Sequence, residues 1–194
     1  VDWIPELEKV FVSESACTSV KVFDPDRGTR GPLLLHEINL ENAKSANRHD
    51  TAGAHKDRVK LRGNNSGNAA TEMVVPICVE YVPELSMLII AMSDLAVSFW
   101  DTTAYRRDPD GAVPWFVKRV HTEKLVLKMS WCAPYNILFT SGPQATGEIY
   151  AWKVSVEGHG AELRMRKLGV LKGHTDVVTD LLTVFEMRGS TLDF

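Results

Sequence analysis

Histidine, cysteine and paired carboxylates are the side chains most able to bind a metal or relay a proton, so their spacing comes first. His36, His49 and His55 hold no two members at short ligand spacing and have no cysteine cluster beside them, so they read as solvent-exposed loop histidines. His121 and His174 are candidate acid–base groups by type. No Gly-x-Ser-x-Gly elbow, no Gly-Lys-Ser/Thr phosphate loop and no Gly-x-Gly-x-x-Gly turn accompanies them, so catalysis has no visible apparatus. Asp24-Pro25-Asp26-Arg27-Gly28 and Asp108-Pro109-Asp110-Gly111 look like oxygen-rich calcium loops. A calcium loop needs further ligands at fixed offsets and a terminal Glu, whereas Pro, Asp and Gly after a strand end are what tight turns use; both segments read as turns. No catalytic residue, cofactor or metal is expected.

Cys17, Cys78 and Cys132 lie far apart, are odd in number and form no Cys-x-x-Cys pair, which argues for a reducing, cytoplasmic setting. Asn64-Asn65-Ser66 fits the glycosylation pattern, a common accidental match that the cysteine usage speaks against. The formal net charge of −3 gives no field to steer phosphate backbones, so nucleic acid is an unlikely partner. The apolar cluster Met87-Leu88-Ile89-Ile90-Ala91-Met92 is far short of a membrane span and reads as a buried strand; no membrane partner is expected. Two surface patches remain. Lys56, Arg58, Lys60 and Arg62 alternate with other residues and would share one face of a strand, a solvated edge that resists aggregation. Arg106 and Arg107, followed by Trp115, combine the residue types that dominate binding hot spots, and with Glu123 and Gln144 they are the partner-binding candidates.

The elements that must position these residues repeat. Asp2-Trp3-Ile4-Pro5-Glu6-Leu7 aligns with Glu80-Tyr81-Val82-Pro83-Glu84-Leu85, and a third copy begins at Ser130-Trp131-Cys132-Ala133-Pro134-Tyr135. A fourth begins at Leu182-Thr183-Val184. Each complete copy runs through a polar turn into a second apolar run ending in an aromatic: Val20-Lys21-Val22-Phe23, Val97-Ser98-Phe99-Trp100 and Ile149-Tyr150-Ala151-Trp152. The first and third alternate with the period of a strand buried on one face. Pro and Gly every few residues exclude helices.

Trp100-Asp101 closing one repeat, Gly173-His174-Thr175-Asp176 opening another and His121-Thr122-Glu123 opening the third resemble the WD-repeat family. The resemblance implies an all-β fold, a partial WD-repeat β-propeller of four-stranded antiparallel blades. It also implies a hydrogen-bonded set of opening His, middle-strand Ser, turn Asp and closing Trp, since a buried indole N–H must find an acceptor. Here the set is eroded: Asp94 and Trp100 in the second repeat, with Thr71 or a neighbour in place of His; His121, Ser141 and Trp152 in the third, with Thr146 near the Asp position; Cys17 and Phe23 in the first; His174 in the fourth, with Asp193 as its Asp. Within the repeats His121 and His174 take structural rather than acid–base roles.

Family spacing divides the chain into an incomplete first blade at 1–24, an insertion with an outer strand at 25–73, a second blade at 74–101, a third at 115–152 and the start of an incomplete fourth at 163–194. The outer strand within 25–73 is Leu33–Ile38 or Arg58–Arg62, the first preferred. Such an open arc suggests a segment of a longer protein, or a truncated gene, completed inside an assembly. The family's upper-face loops would hold Met92 to Asp94, Gln144 to Thr146, Glu123 and Asp176. The functional expectation is a non-enzymatic protein-interaction scaffold docking other proteins in a multi-subunit assembly, cytoplasmic, with the cytoskeleton or cilium as a setting. The alternative is an accessory propeller of RNA-binding or ubiquitin machinery.

Overall fold

A computed structural model describes residues 1–14, 17–26, 32–40, 73–108, 112–157 and 162–184. Among them twelve strands form three four-stranded antiparallel sheets. The first contains β1 (Asp2–Ile4), β2 (Lys9–Ser13), β3 (Ser19–Asp24) and β4 (Leu33–Asn39) in sequence order. The second contains β5 (Pro76–Val82), β6 (Met87–Met92), β7 (Ala96–Asp101) and β8 (Trp115–His121), with a short helix, α1 (Thr103–Arg107), between the last two strands. The third contains β9 (Lys128–Cys132), β10 (Ile137–Ser141), β11 (Ile149–Glu157) and β12 (Glu162–Leu171). The expected class, all-β with four-stranded antiparallel blades, is the observed one.

The first connection of every sheet is the same object, built by the repeated Pro segment. Pro5–Leu7, Pro83–Leu85 and Ala133–Tyr135 each form one 3-10 turn, with Pro at a position where its missing N–H is not needed. The next residue, Glu8, Ser86 or Asn136, is left-handed at φ 52°, 50° and 48° and donates its N–H back to the first carbonyl of the turn. This left-handed step costs a non-glycine residue local strain, least for Asn. Its recurrence fixes the pairing register of the strands on either side: Trp3 faces Val10, Tyr81 faces Leu88 and Trp131 faces Leu138.

The sheets are divided differently from the sequence-based blades. β8 hydrogen-bonds to β7, with Trp115 opposite Asp101, so the second sheet ends at His121 and not at residue 101. Likewise β12 pairs with β11 and closes the third sheet, so Glu162–Leu171 does not open a fourth. The cause is that after each closing aromatic the chain returns antiparallel onto the strand it has just left. The first sheet is complete, because Leu33–Asn39 supplies its outer strand. The candidate strand Arg58–Arg62, the basic residues beside it, His49, His55, Thr71 and Asp193 lie outside the described residues. Of the proposed fourth copy, Leu182–Val184 carries no regular element and the remainder lies outside the described residues.

The chain splits into two compact units, Val1–Val126 and Leu127–Phe194. In the first unit, two sheets share one core. Residues paired across strands point to the same face, so Phe11, Val20, Val22 and Ile38 line one face of the first sheet, while Val79, Tyr81, Leu88, Ile90 and Trp100 line one face of the second. These two sets are buried together in a single cluster, with Phe116 packed against it. At roughly 25 cal/mol per Å2 of apolar surface removed from water, each such fully buried side chain contributes about 1.5–3 kcal/mol. Tyr105 of α1 enters the same core and meets the His36 ring edge-on at 5.8 Å. His36 is therefore a strand residue of β4 against an aromatic partner, not the loop histidine its isolation suggested.

In the second unit the equivalent of the Phe11 face carries Phe139, Ile149 and Leu171. Here the face is open, and Leu171 is 53% exposed. The segment Leu181–Val184 crosses one end of it, anchored where the Thr183 N–H donates to Ser130 Oγ at 2.9 Å, and the two form an apolar trough of about 300 Å3.

Candidate functional site

Two kinds of position matter: those that hold the repeats rigid and those that are free to meet a partner. The closing tryptophans belong to the first kind. Trp152 is buried, and its indole N–H donates to Thr140 Oγ1 at 2.9 Å. Register explains the choice of Thr140 over the expected Ser141. Leu138 lies opposite Trp152 and Thr140 opposite Tyr150, so Thr140 shares the face of Trp152, whereas Ser141 points to the other face. Ser141 is buried and its hydroxyl makes no hydrogen bond; its carbonyl accepts the Leu127 N–H instead.

The second sheet meets the same need from the other strand. Trp100 donates to Ser98 Oγ at 2.9 Å. Ser98 lies opposite Ile90, as Tyr150 lies opposite Thr140, so between the two sheets the hydroxyl has crossed from the middle strand to the closing strand without leaving the face of the tryptophan. In the first sheet the matching pair is Val12 and Lys21, neither a hydroxyl neighbour, and the closing residue is Phe23, which has no N–H to satisfy. At these matched positions a hydroxyl therefore accompanies the closing residue where that residue is tryptophan and is absent where it is phenylalanine, as the cost of a buried orphan donor requires.

Asp94 lies in the turn between β6 and β7, as expected, but its partner is not a histidine. Arg119 of β8 forms an ion pair with it, with the arginine side chain only 6% exposed. Burial pulls the Arg119 guanidinium below its usual range. His121 ends β8 exposed to solvent and so cannot be the half-buried member of a hydrogen-bonded set; the buried residue there is Thr122, which donates its N–H to the Leu95 carbonyl and its hydroxyl to Lys124 O. His174 is likewise exposed. Its backbone lies tight against Gly147, where an added Cβ would fall 2.5 Å from the Asp176 carbonyl oxygen and closer still to His174 Cβ. Gly147 has φ +56°, so a side chain there is excluded by space and by conformation alike. Asp176 turns its carboxylate back to the Val177 N–H at 2.7 Å. Asp24 does the same for the Asp26 N–H at 3.0 Å and pairs with buried Lys9 at 3.3 Å, so this end of β3 is a turn with an internal ion pair.

The second kind of position gathers at the end of the second sheet that carries the β5–β6 turn. Asp101 accepts the Thr103 N–H at 2.6 Å, an Asx turn that leads the chain from β7 into α1. Thr102 donates both its N–H and its hydroxyl to the Ser86 carbonyl, at 2.8 and 2.7 Å, folding α1 against the turn. Arg106 then reaches Ser86 Oγ at 3.2 Å. Arg106 and Arg107 are both exposed, and Trp115 at the start of β8 is 72% exposed. Three of the five partner-binding candidates thus share one rim. Glu123 is exposed on the loop after β8, and Gln144 is half-buried in the loop after β10; neither joins the rim residues. Thr102 and Ser86, which hold the rim together, carry no sequence signal beyond hydroxyl type. Among the described residues no group of three potential metal ligands exists, and no helix is long and apolar enough to cross a membrane.

With this geometry in view, the chain can be set beside known structures. The solved structures it resembles include WD40-repeat proteins. The crystal structure of the mitotic checkpoint complex matches 91% of this chain at 16% identity and TM-score 0.49. The WD40 repeats of RRP9 match 63% at 17% identity and TM-score 0.39. A periplasmic gluconolactonase of Pseudomonas aeruginosa matches 83% at 10% identity and TM-score 0.49. The chain spans between 31% and 38% of the length of these structures. No protein-family model matches the sequence, and no curated protein sequence matches it.

Proposed function

We propose that this chain is a non-enzymatic protein-interaction scaffold, a set of blade-like sheets whose rims dock other proteins of a multi-subunit assembly. The observation that carries the reading is Trp115, a large aromatic left mostly in water on the strand beside a helix that presents two exposed arginines, whereas Trp100, Trp131 and Trp152 are buried. Fold alone does not exclude catalysis, since the gluconolactonase among the similar structures is by its name an enzyme. The support for a non-enzymatic role is that the histidines considered as acid–base groups, His121 and His174, are exposed and lie in loops or strand ends, outside any group of three potential metal ligands among the described residues. A cytoplasmic assembly of the cytoskeletal or ciliary kind fits the repeat texture and the free cysteines. The test is a photo-crosslinking amino acid in place of Trp115 in the full chain, with Leu168 of the third sheet as a control. A discrete polypeptide adduct at 115 and none at 168 is expected; adducts to nucleic acid alone, or equal labelling at both positions, would overturn the reading.

A further inference from the structure

We infer that the rim formed by Trp115, Arg106 and Arg107 accepts an extended acidic segment of a partner protein, an apolar residue resting on the indole and carboxylates meeting the guanidinium groups. The inference rests on the scaffold reading and adds the chemistry of the partner. Three features carry it. The first is spacing. Trp115, Asp101 and Met87 lie in one row across β8, β7 and β6, and Ser86, which holds Arg106, immediately precedes Met87. Two interstrand steps of about 4.8 Å put the backbone of Trp115 roughly 10 Å from that of Met87, next to the turn residue that holds Arg106, the reach of about three residues of extended chain.

The second feature is charge. No carboxylate among the described residues forms an ion pair with Arg106 or Arg107, and Asp101, the acid closest in the row, is turned toward the Thr103 N–H. An exposed guanidinium pair with no carboxylate partner among the described residues, Arg106 donating only to the Ser86 hydroxyl, offers its remaining N–H groups to carboxylates. The third is preorganisation. α1 is pinned by two bonds from Thr102 to the Ser86 carbonyl and by Tyr105, which is 1% exposed in the core, so the arginines are presented from a fixed base and binding loses less to ordering. The same residue types could stack on and neutralise RNA. A phosphate backbone needs a longer basic track than two adjacent arginines on a chain of net charge −3, and a short acidic peptide does not.

The experiment uses the full chain and fluorescence anisotropy with three labelled probes: a dodecapeptide in which Leu and Phe are spaced by Glu pairs, the same peptide with Lys for every Glu, and a twelve-nucleotide oligouridylate. The acidic peptide should bind and the Lys peptide should not. Trp115→Ala and the double variant Arg106→Glu, Arg107→Glu should each weaken binding by about tenfold or more, while Leu168→Ala leaves it unchanged. All of these positions are exposed, so circular dichroism and melting should match the parent chain. Absence of binding, equal binding of both peptides, or binding of the oligouridylate in preference, with affinity falling steeply in salt, overturns the inference. If the crosslinker at 115 still captures a polypeptide while the acidic peptide fails, the acidic chemistry falls and the scaffold reading stands.

Discussion

Thr140→Val removes the acceptor of a buried indole N–H and almost nothing else, since valine matches threonine in shape. In the parent chain the Trp152 N–H lies 2.9 Å from Thr140 Oγ1, with the tryptophan 6% exposed, so no water replaces the lost partner without opening the sheet. Leaving such a donor unsatisfied costs about 1–3 kcal/mol. For a chain of this size that corresponds to a melting point lowered by about 2–4 °C per kcal/mol. Hydrogen exchange of the β10 and β11 amides locates the loss in the third sheet. The decisive comparison is a double-mutant cycle with Trp152→Phe, which removes the donor. Trp152→Phe pays for lost packing by itself, but once the donor is gone Thr140→Val should cost almost nothing, giving a coupling of about 1 kcal/mol or more between the two sites. Full stability of Thr140→Val, or additivity of the two changes within ~0.5 kcal/mol, would refute the rule that a hydroxyl accompanies each closing tryptophan.

The other predictions address separate features. Gly147→Ala places a Cβ against His174 and the Asp176 carbonyl at positive φ, and should cost more than ~1 kcal/mol and speed amide exchange across residues 173–178; unchanged exchange there would contradict the close approach. Asp94→Ala strands a guanidinium that is only 6% exposed, and should lower the urea midpoint by the equivalent of ~3 kcal/mol or less, the partial exposure of Asp94 holding the loss at the low end for a broken buried pair. The double change Asp94→Ala, Arg119→Met should recover most of that loss, and failure to recover it would show that the pair is not the source. The Cys17 thiol is pushed up mainly by its 3.0 Å hydrogen bond to Glu14, so Glu14→Gln should raise its thiolate fraction and its alkylation rate at mildly alkaline pH, measured by peptide mapping. The Glu14 carboxyl is held below its usual range by that thiol and by Lys21, so whatever this contact contributes is present at neutral pH and lost as pH falls through the depressed value; an alkylation rate indifferent to Glu14→Gln would break the argument.

The three Pro-containing turns and the aromatic on the third strand of each sheet were legible in the sequence because they depend on local chemistry: a fixed proline φ and a strand period. Which side chains meet across strands was less legible. Ser141 and Thr140 are adjacent and both carry hydroxyls, and the choice between them turns on a register that one residue of slip would reverse. Arg119 was passed over as the partner of Asp94 because it sits on an outer strand, which the sequence assigned to the following repeat. β8 carries two adjacent cations, Lys118 and Arg119, and only the register, which sets Arg119 opposite Ser98, shows which of them lies on the Trp100 face. Among the rim residues, Trp115, Arg106 and Arg107 declared themselves by type, whereas Ser86 and Thr102, which assemble them, did so only through hydrogen bonds made across the fold.

The packing of the first two sheets also has a direction. One contributes the face of Phe11 and Val22, the other the face of Tyr81 and Trp100, and the two surfaces are chemically different. Contact of this sort is head-to-tail, and a two-fold axis, which would set like against like, cannot generate it. The open Phe139, Ile149 and Leu171 surface is of the Phe11 type, so its complement is a surface of the Tyr81 and Trp100 type and not another copy of itself. The packing of the first two sheets therefore has a fixed polarity, and the third sheet carries the same two chemically distinct faces.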